Sequence, residues 1–301
     1  MAQYKTDAVI SALEEVNSTS FPLSVYNPLV LQTAGGHLQG VQSMMYQQEK
    51  YYFLSGSSDA YSYYTIIKGG EKNIMISINK ILETPFSHAG GFQISDDLLA
   101  IGVEDDKAKN KSKVLIFHIE NPEKPPREPV AIIDRIGTYQ RGTAGCVAIT
   151  TVEDKTLVVV GDWDTEHPDF YRIDREKLFE RGASLELEFT IDSKKLNKKH
   201  WVDQEWHSYQ NINFVRGKNN TLYLAGMGIR PHGDNVIDLY QIQSESLSSF
   251  ALNKIYTRTF AANGPASFRW GSGMSIDENG NISLMTTEEN IGENTIIEVY
   301  Q

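Results

Sequence analysis

The chain has 301 residues, 40% hydrophobic and 22% charged, with 39 acidic against 28 basic side chains and a formal net charge of −11. That average field repels a phosphate backbone or an anionic bilayer, which argues against general nucleic-acid or membrane-surface binding. The single cysteine, Cys146, excludes an intrachain disulfide, and a chain of this length can bury roughly 75% of its unfolded surface without one.

The opening stretch MAQYKTDAVISALEEVN has neither a basic start nor a continuous apolar run, so no secretory signal is visible and a cytoplasmic location is expected. No apolar run in the chain reaches membrane-spanning length. Val9, Ile10, Leu13 and Val16 fall at helical spacing, predicting a short amphipathic helix over 5–16. FPLSVYNPLVLQT then reads as a strand-like stretch standing ahead of any repeat.

From His37 onward the sequence repeats. HLQGVQSMMYQQEKYYFLSGSS from His37 aligns with HAGGFQISDDLLAIGVED from His88 and TAGCVAITTVEDKTLVVVGDWD from Thr143. HSYQNINFVRGKNNTLYLAGMG from His207 and RWGSGMSIDENGNISLMTTEEN from Arg269 continue the series. Each unit starts with a short strand and a polar turn, such as Asp96-Asp97, Glu153-Asp154-Lys155, Lys218-Asn219-Asn220 or Asp277 to Gly280. A more apolar second strand follows, then a third (AYSYYTII, KVLIFHI, DFYRI, VIDLYQI, TIIEVY). A more variable fourth appears in NIMISINKI, PVAIIDRIG, LELEFTID and ALNKIYTRTF. Four antiparallel strands per unit is the layout of a propeller blade. Asp174 to Arg181 departs from the strand pattern and predicts one or two helical turns.

The last unit stops at Gln301 after its third strand, while the strand-like stretch near residue 21 has no unit of its own. Pairing the two ends would complete the last blade and remove an open sheet edge. The expected fold is therefore all-β: a five-bladed β-propeller with four-stranded antiparallel blades, closed by the N-terminal strand. Its parts are an N-terminal helix or arm (1–20), a closing strand (21–36) and blades starting near 37, 88, 143, 207 and 269, all in one domain.

HAGGFQISDDLLAIGVED followed by KVLIFHIENPEKP is similar to a repeat style of microbial propeller proteins, and that resemblance implies a fold and little chemistry. Tachylectin-like lectins and arabinan-cleaving glycosidases share the five-bladed plan. This sequence has neither the near-identical repeats of the first nor a motif that maps onto the carboxylates of the second.

In a propeller the first strands line the axis, and their starts share one face with the ends of the second strands. Strand starts place His37, His88, His207 and Arg269 there, with Trp206 and Trp270 beside the last two and Glu205 preceding Trp206. Second-strand ends add Glu104, Asp105, Asp162, Trp163, Asp164, Glu288 and Glu289. Imidazoles beside carboxylates suit proton transfer near neutral pH, and indole faces stack on sugars or cations. His88, His207, His37, Glu104 and Asp162 are the catalytic candidates; the remaining residues are ligand-binding candidates. Gly40, Gly91, Cys146 and Gly273 share one position, with Asn211 in the fourth unit, and either leave room for a ligand or let the strands pack closely.

Asp162-Trp163-Asp164-Thr165-Glu166 alternates oxygen donors as a calcium loop does, but lacks that loop's glycine and distal acid, so no cofactor is expected and calcium is the alternative. No phosphate-binding loop, paired Cys-x-x-Cys, His-Glu-x-x-His or nucleophile elbow is present. The basic run Lys107 to Lys113 reads as a self-neutralising loop, and a small contact patch is the lesser alternative for Lys194 to Lys199. The expected partner is a small polar molecule or glycan bound at the channel mouth. Acid–base catalysis on the same residues ranks next and a protein-interaction scaffold third. Arg230-Pro231-His232-Gly233-Asp234 is a candidate plug or lid.

Overall fold

The computed structural model describes residues 8–31, 33–217, 221–246, 249–262 and 264–301. Within them the strands form consecutive antiparallel meanders. The first is β2 (Gly35–Tyr46), β3 (Glu49–Ser58), β4 (Tyr61–Lys68) and β5 (Asn73–Glu83). The second is β6 (His88–Ser95), β7 (Leu98–Glu104), β8 (Lys111–His118) and β9 (Ala131–Ile136). The third is β10 (Cys146–Val152), β11 (Lys155–Gly161), β12 (Asp169–Asp174) and β13 (Glu186–Thr190). The fourth is β14 (Tyr209–Arg216), β15 (Leu222–Ile229), β16 (Asn235–Ser246) and β17 (Ser249–Phe260). β18 (Ser267–Ile276), β19 (Ile282–Thr287) and β20 (Asn294–Tyr300) follow, and β1 (Phe21–Tyr26) pairs antiparallel with β20. The architecture is a β-propeller.

Burial explains the sequence patterns. β7 is buried at every position, because sheets cover both of its faces, and it reads as an unbroken apolar run. The outer strand β9 alternates: Ala131, Ile133 and Arg135 point inward while Ile132, Asp134 and Ile136 face solvent. Apolar clusters fill the gaps between successive meanders. Phe53 and Tyr64 of the first pack on Phe92 and Leu99 of the second, and Met285 and Val299 return to Leu54 and Ile67 of the first.

The polar turns fall where the composition places them, with Asp96 and Glu153 in the left-handed region at φ 55° and 54°. The Lys218-Asn219-Asn220 turn lies outside the described residues.

Three expectations need trimming. The helix runs as α1 (Ala8–Glu15); residues 5–7 lie outside the described residues. Val9 and Leu13 seat it on Val215, Tyr223 and Phe260, and Arg258 donates to the carbonyl of Leu13 at 2.6 Å, satisfying one of the helix's last acceptors. Of FPLSVYNPLVLQT only Phe21–Tyr26 is strand; Pro28, without an N–H, stands just past its end. Asp174 to Arg181 holds a single 3₁₀ turn, Lys177–Phe179.

The first strands stand around a common axis: Cys146 pairs in parallel with Gly91, and Ser272 with Gly40. Amide side chains fill that axis. Asn211 donates to the carbonyls of Phe92 (3.0 Å) and Ser272 (2.7 Å), and Gln93 donates to Phe214 O (2.9 Å) while accepting from the amides of Ile149 and Phe214. A Cβ on Gly273 would overlap the carbonyl of Val41, and one on Gly91 would overlap Gln210 O and the Asn211 side chain. The recurring small residues therefore serve close packing of strands and amides and leave no ligand space. Cys146 is fully buried, and burial pushes its thiol up to about 12. No helix among the described residues is long and apolar enough to cross a membrane.

Candidate functional site

One axial mouth, the side of the first-strand starts, opens into a cavity of about 750 Å³. His37, His88, Glu104, Trp163, Arg269 and Trp270 all line it, so six of the residues singled out from sequence converge. Gln39, Asp59, Asp106, Tyr209 and Gln210 line it as well and were missed. Asp59 has a sequence signal, since it follows the second strand of unit one much as Asp105 and Asp106 follow that of unit two. Gln39 and Gln210 have none. Each is the extra residue of a β-bulge, between Leu38 and Gly40 in β2 and between Tyr209 and Asn211 in β14. A bulge breaks the alternation that sequence patterns rest on and re-aims the side chain.

Glu104 ends β7, directly across from His88 in the β6–β7 ladder. Its carboxylate is fully buried. Oε2 accepts from the amide of Ala144 at 2.7 Å, and Oε1 lies 3.2 Å from Nδ1 of His88. That contact has ion-pair distance but poor hydrogen-bond angles, so both atoms retain unused hydrogen-bonding capacity. The imidazole of His88 stacks on Trp163, with centroids 5.7 Å apart and planes at 24°. Its Nε2 is 3.0 Å from Nε2 of Gln39, which is also 2.6 Å from Nδ1 of His37. Burial, with His88 next to it, holds His37 below the ordinary histidine range, against the pull of Glu289 and with the help of Arg269.

Two cations attend the indoles: the Lys109 ammonium sits 3.6 Å from the Trp163 ring centre, and the Arg269 guanidinium 4.7 Å from that of Trp270. Trp163 is carried on a loop anchored by its own N–H on Thr143 Oγ1 (2.7 Å) and by Thr165. Thr165 sits at φ 55°, costly for a β-branched residue. Its hydroxyl bond to Tyr209 O and the Trp206 indole on its carbonyl hold it there.

The other sequence candidates do not reach the cavity. Asp162 gives both carboxylate oxygens to His167, at 3.0 Å from its backbone nitrogen and 2.7 Å from Nδ1, and so turns away from His88. The alternating acids from 162 to 166 thus build a turn, and among the described residues no three His, Cys, Asp or Glu side chains gather as a metal cage would require. Asp105 caps the next turn by accepting from the amides of Lys107 and Ala108; those bonds, the Ala108 one foremost, hold its carboxyl below the usual range despite burial. Asp164 is exposed and accepts from Ser208, and Glu288 accepts from the amide of Ile296.

Trp206 packs between Trp201, Tyr209 and Tyr240. His207, buried beside it, faces Asp238 at 3.7 Å and Glu205 at 3.5 Å; burial lowers its pKa against the pull of Asp238. Both belong to the wall of the fourth meander. Arg230 to Asp234 makes a tight turn, Gly233 N to Arg230 O at 2.8 Å, and does not cover the mouth. Within the basic runs Lys111 pairs with Asp105, Lys113 with Asp134, Lys194 with Glu166 and Lys195 with Asp192.

No family model matches the chain, and no curated protein sequence does. Solved structures do. The catalytic domain of a GH62 alpha-L-arabinofuranosidase from Coprinopsis cinerea is 9% identical, with a TM-score of 0.53 over 94% of this chain and 98% of that one. An alpha-L-arabinofuranosidase from Podospora anserina in complex with cellotriose gives 8% identity and 0.53 over 95% and 98%. A GH43_1 enzyme from Xanthomonas citri complexed with xylotriose gives 11% and 0.51 over 97% and 92%. At these identities the likeness is one of fold, a β-propeller.

Proposed function

We propose that the chain is a five-bladed propeller closed by β1, and that its axial cavity binds a saccharide and cleaves a glycosidic bond by acid–base catalysis. The β1–β20 pairing and the apolar cluster joining β19 and β20 to β3 and β4 support the closed ring. Glu104 carries the catalytic reading. A fully buried carboxylate with an unspent oxygen 3.2 Å from an imidazole, in the wall of an open cavity, is the pairing that turns histidine into a general base.

In this reading saccharide binding draws the Gln39 amide off His88 Nε2, and the attacking water takes that place and gives up its proton there. Its oxygen bonds to the anomeric carbon as the bond to the leaving oxygen breaks. Glu104 and the Trp163 face offset the charge of the imidazolium. Asp59 and Asp106, the other carboxylates lining the cavity, are the candidates to protonate the leaving oxygen. The sugar-bound and sugar-cleaving enzymes among the structural neighbours favour a saccharide over other small polar ligands.

The purified chain is expected to release reducing ends or aryl groups from at least one of xylotriose, cellotriose, aryl arabinofuranosides and aryl xylopyranosides. Binding without release would leave a saccharide site and remove the catalysis. Neither binding nor release across that set would overturn the proposal.

A further inference from the structure

Gln39 and Gln210 are bulge residues on β2 and β14, different sheets of the ring, yet their side chains meet in the cavity. Gln210 Nε2 lies 3.3 Å from the main-chain oxygen of Gln39. A carbonyl can only accept, so this end of the Gln210 amide must be its NH₂. The same NH₂ contacts the Gln39 side chain, and that atom must therefore be the amide oxygen. The Gln39 NH₂ is thereby turned toward the two histidines, with one hydrogen for Nδ1 of His37 and one for Nε2 of His88. Gln39 is 6% exposed, so in the ligand-free protein both bonds are shielded from bulk water.

We propose that Gln39, braced by Gln210, is a positioning residue that fixes the two cavity histidines in opposite neutral tautomers. His88 carries its proton on Nδ1, toward Glu104, and offers its Nε2 lone pair; His37 carries its proton on Nε2 and acts as a hydrogen-bond donor. The groups facing this pair are Glu104 and Trp163 at His88, and Glu289, Arg269 and Trp270 at His37. The lowered pKa of His37 agrees with a ring that stays neutral. The catalytic consequence, a base with its acceptor nitrogen held ready, rests on the function proposed above. The tautomers themselves do not.

Nitrogen-15 NMR of the histidine rings in the 301-residue chain, at an alkaline pH where the rings are neutral, tests the assignment with no substrate present. The wild type is expected to show an acceptor-type (pyridine-like) Nε2 in His88 and Nδ1 in His37. In Gln39→Glu the carboxylate has only acceptors to offer, so both of those nitrogens should become protonated. Gln210→Leu should free the Gln39 amide to rotate and leave mixed tautomers. Protonated Nε2 in wild-type His88, protonated Nδ1 in wild-type His37, or unchanged tautomers in Gln39→Glu would each overturn the proposal. If Gln39→Glu fails to fold, the wild-type spectrum alone decides. Because no saccharide enters the experiment, loss of the tautomer claim and loss of the functional proposal are separate results.

Discussion

Glu104→Gln is expected to lower turnover by roughly 10²–10⁴-fold while leaving the protein folded. Glutamine has the same shape, and its oxygen can keep the bond to the Ala144 amide now made by Oε2. The NH₂ then falls in the place of Oε1, 3.2 Å from His88 Nδ1, where a second donor meets the ring's own N–H. His88 loses the partner that holds its proton on Nδ1 and the charge that offsets the imidazolium, a change known to cost orders of magnitude in histidine–acid pairs. Saccharide affinity should change much less than turnover, because Trp270, Arg269 and the amides are untouched. Steady-state rates on whichever glycoside the wild type cleaves, beside a thermal melt, make the comparison. A variant keeping more than half the wild-type rate would remove Glu104 from the mechanism.

The largest expected effect on stability lies elsewhere, in the wall of the fourth meander. Lys254 and Asp238 are both fully inaccessible. The ammonium lies 2.9 Å from Asp238 Oδ2 and 2.8 Å from Asp203 Oδ1, and the Tyr209 hydroxyl donates to the same Asp238 oxygen at 2.6 Å. Lys254→Met keeps the bulk of the side chain but leaves Asp238 charged and uncompensated, a loss of about 3–5 kcal/mol by the usual cost of halving a buried ion pair. Adding Asp238→Asn removes the stranded charge and should recover much of that loss. Urea denaturation of the single and double variants measures both terms. A single-variant loss below about 1 kcal/mol would mean that the pair is hydrated or that Asp238 takes up a proton at little cost. Tyr209 lines the cavity, so this buried cluster also anchors one wall of the site.

The repeat was legible because each strand in it is dictated locally. Alternation, β-branched runs and turn residues place β2 to β20 near their observed positions, and the orphan strand at Phe21 pairs with the last strand of the chain. The site was half legible. His37, His88, Glu104, Trp163, Arg269 and Trp270 follow from the rule that first-strand starts and second-strand ends share a face. The same rule also admits Asp162, Asp105 and Glu288, which do not line the cavity, because a carboxylate at a strand end can equally turn back to bind its own loop, as all three do. It also admits Trp206 and His207, just ahead of β14, which do not line the cavity: Tyr209 packs against Gly226 of β15, Trp206 packs on Tyr209 and Tyr240, and His207 faces Asp238. Gln39 and Gln210 escaped for the opposite reason: their positions depend on bulges, which are set by pairing between strands and leave no mark on a single strand's pattern.

The mouths at the two ends of the axis offer a direct discrimination. Gln39 and Gln210 face the cavity holding His88, while Gln42 and Gln93 line a hollow of about 870 Å³ at the opposite end, separated from it by the amide-filled axis. Titrating xylotriose and cellotriose into nitrogen-15-labelled protein and following these four side-chain amides locates the binding site without any assumption about turnover. The Gln39 and Gln210 amide signals are expected to move with at least one of these sugars while those of Gln42 and Gln93 stay still. Movement confined to Gln42 and Gln93, or no movement at saturating sugar, would contradict it.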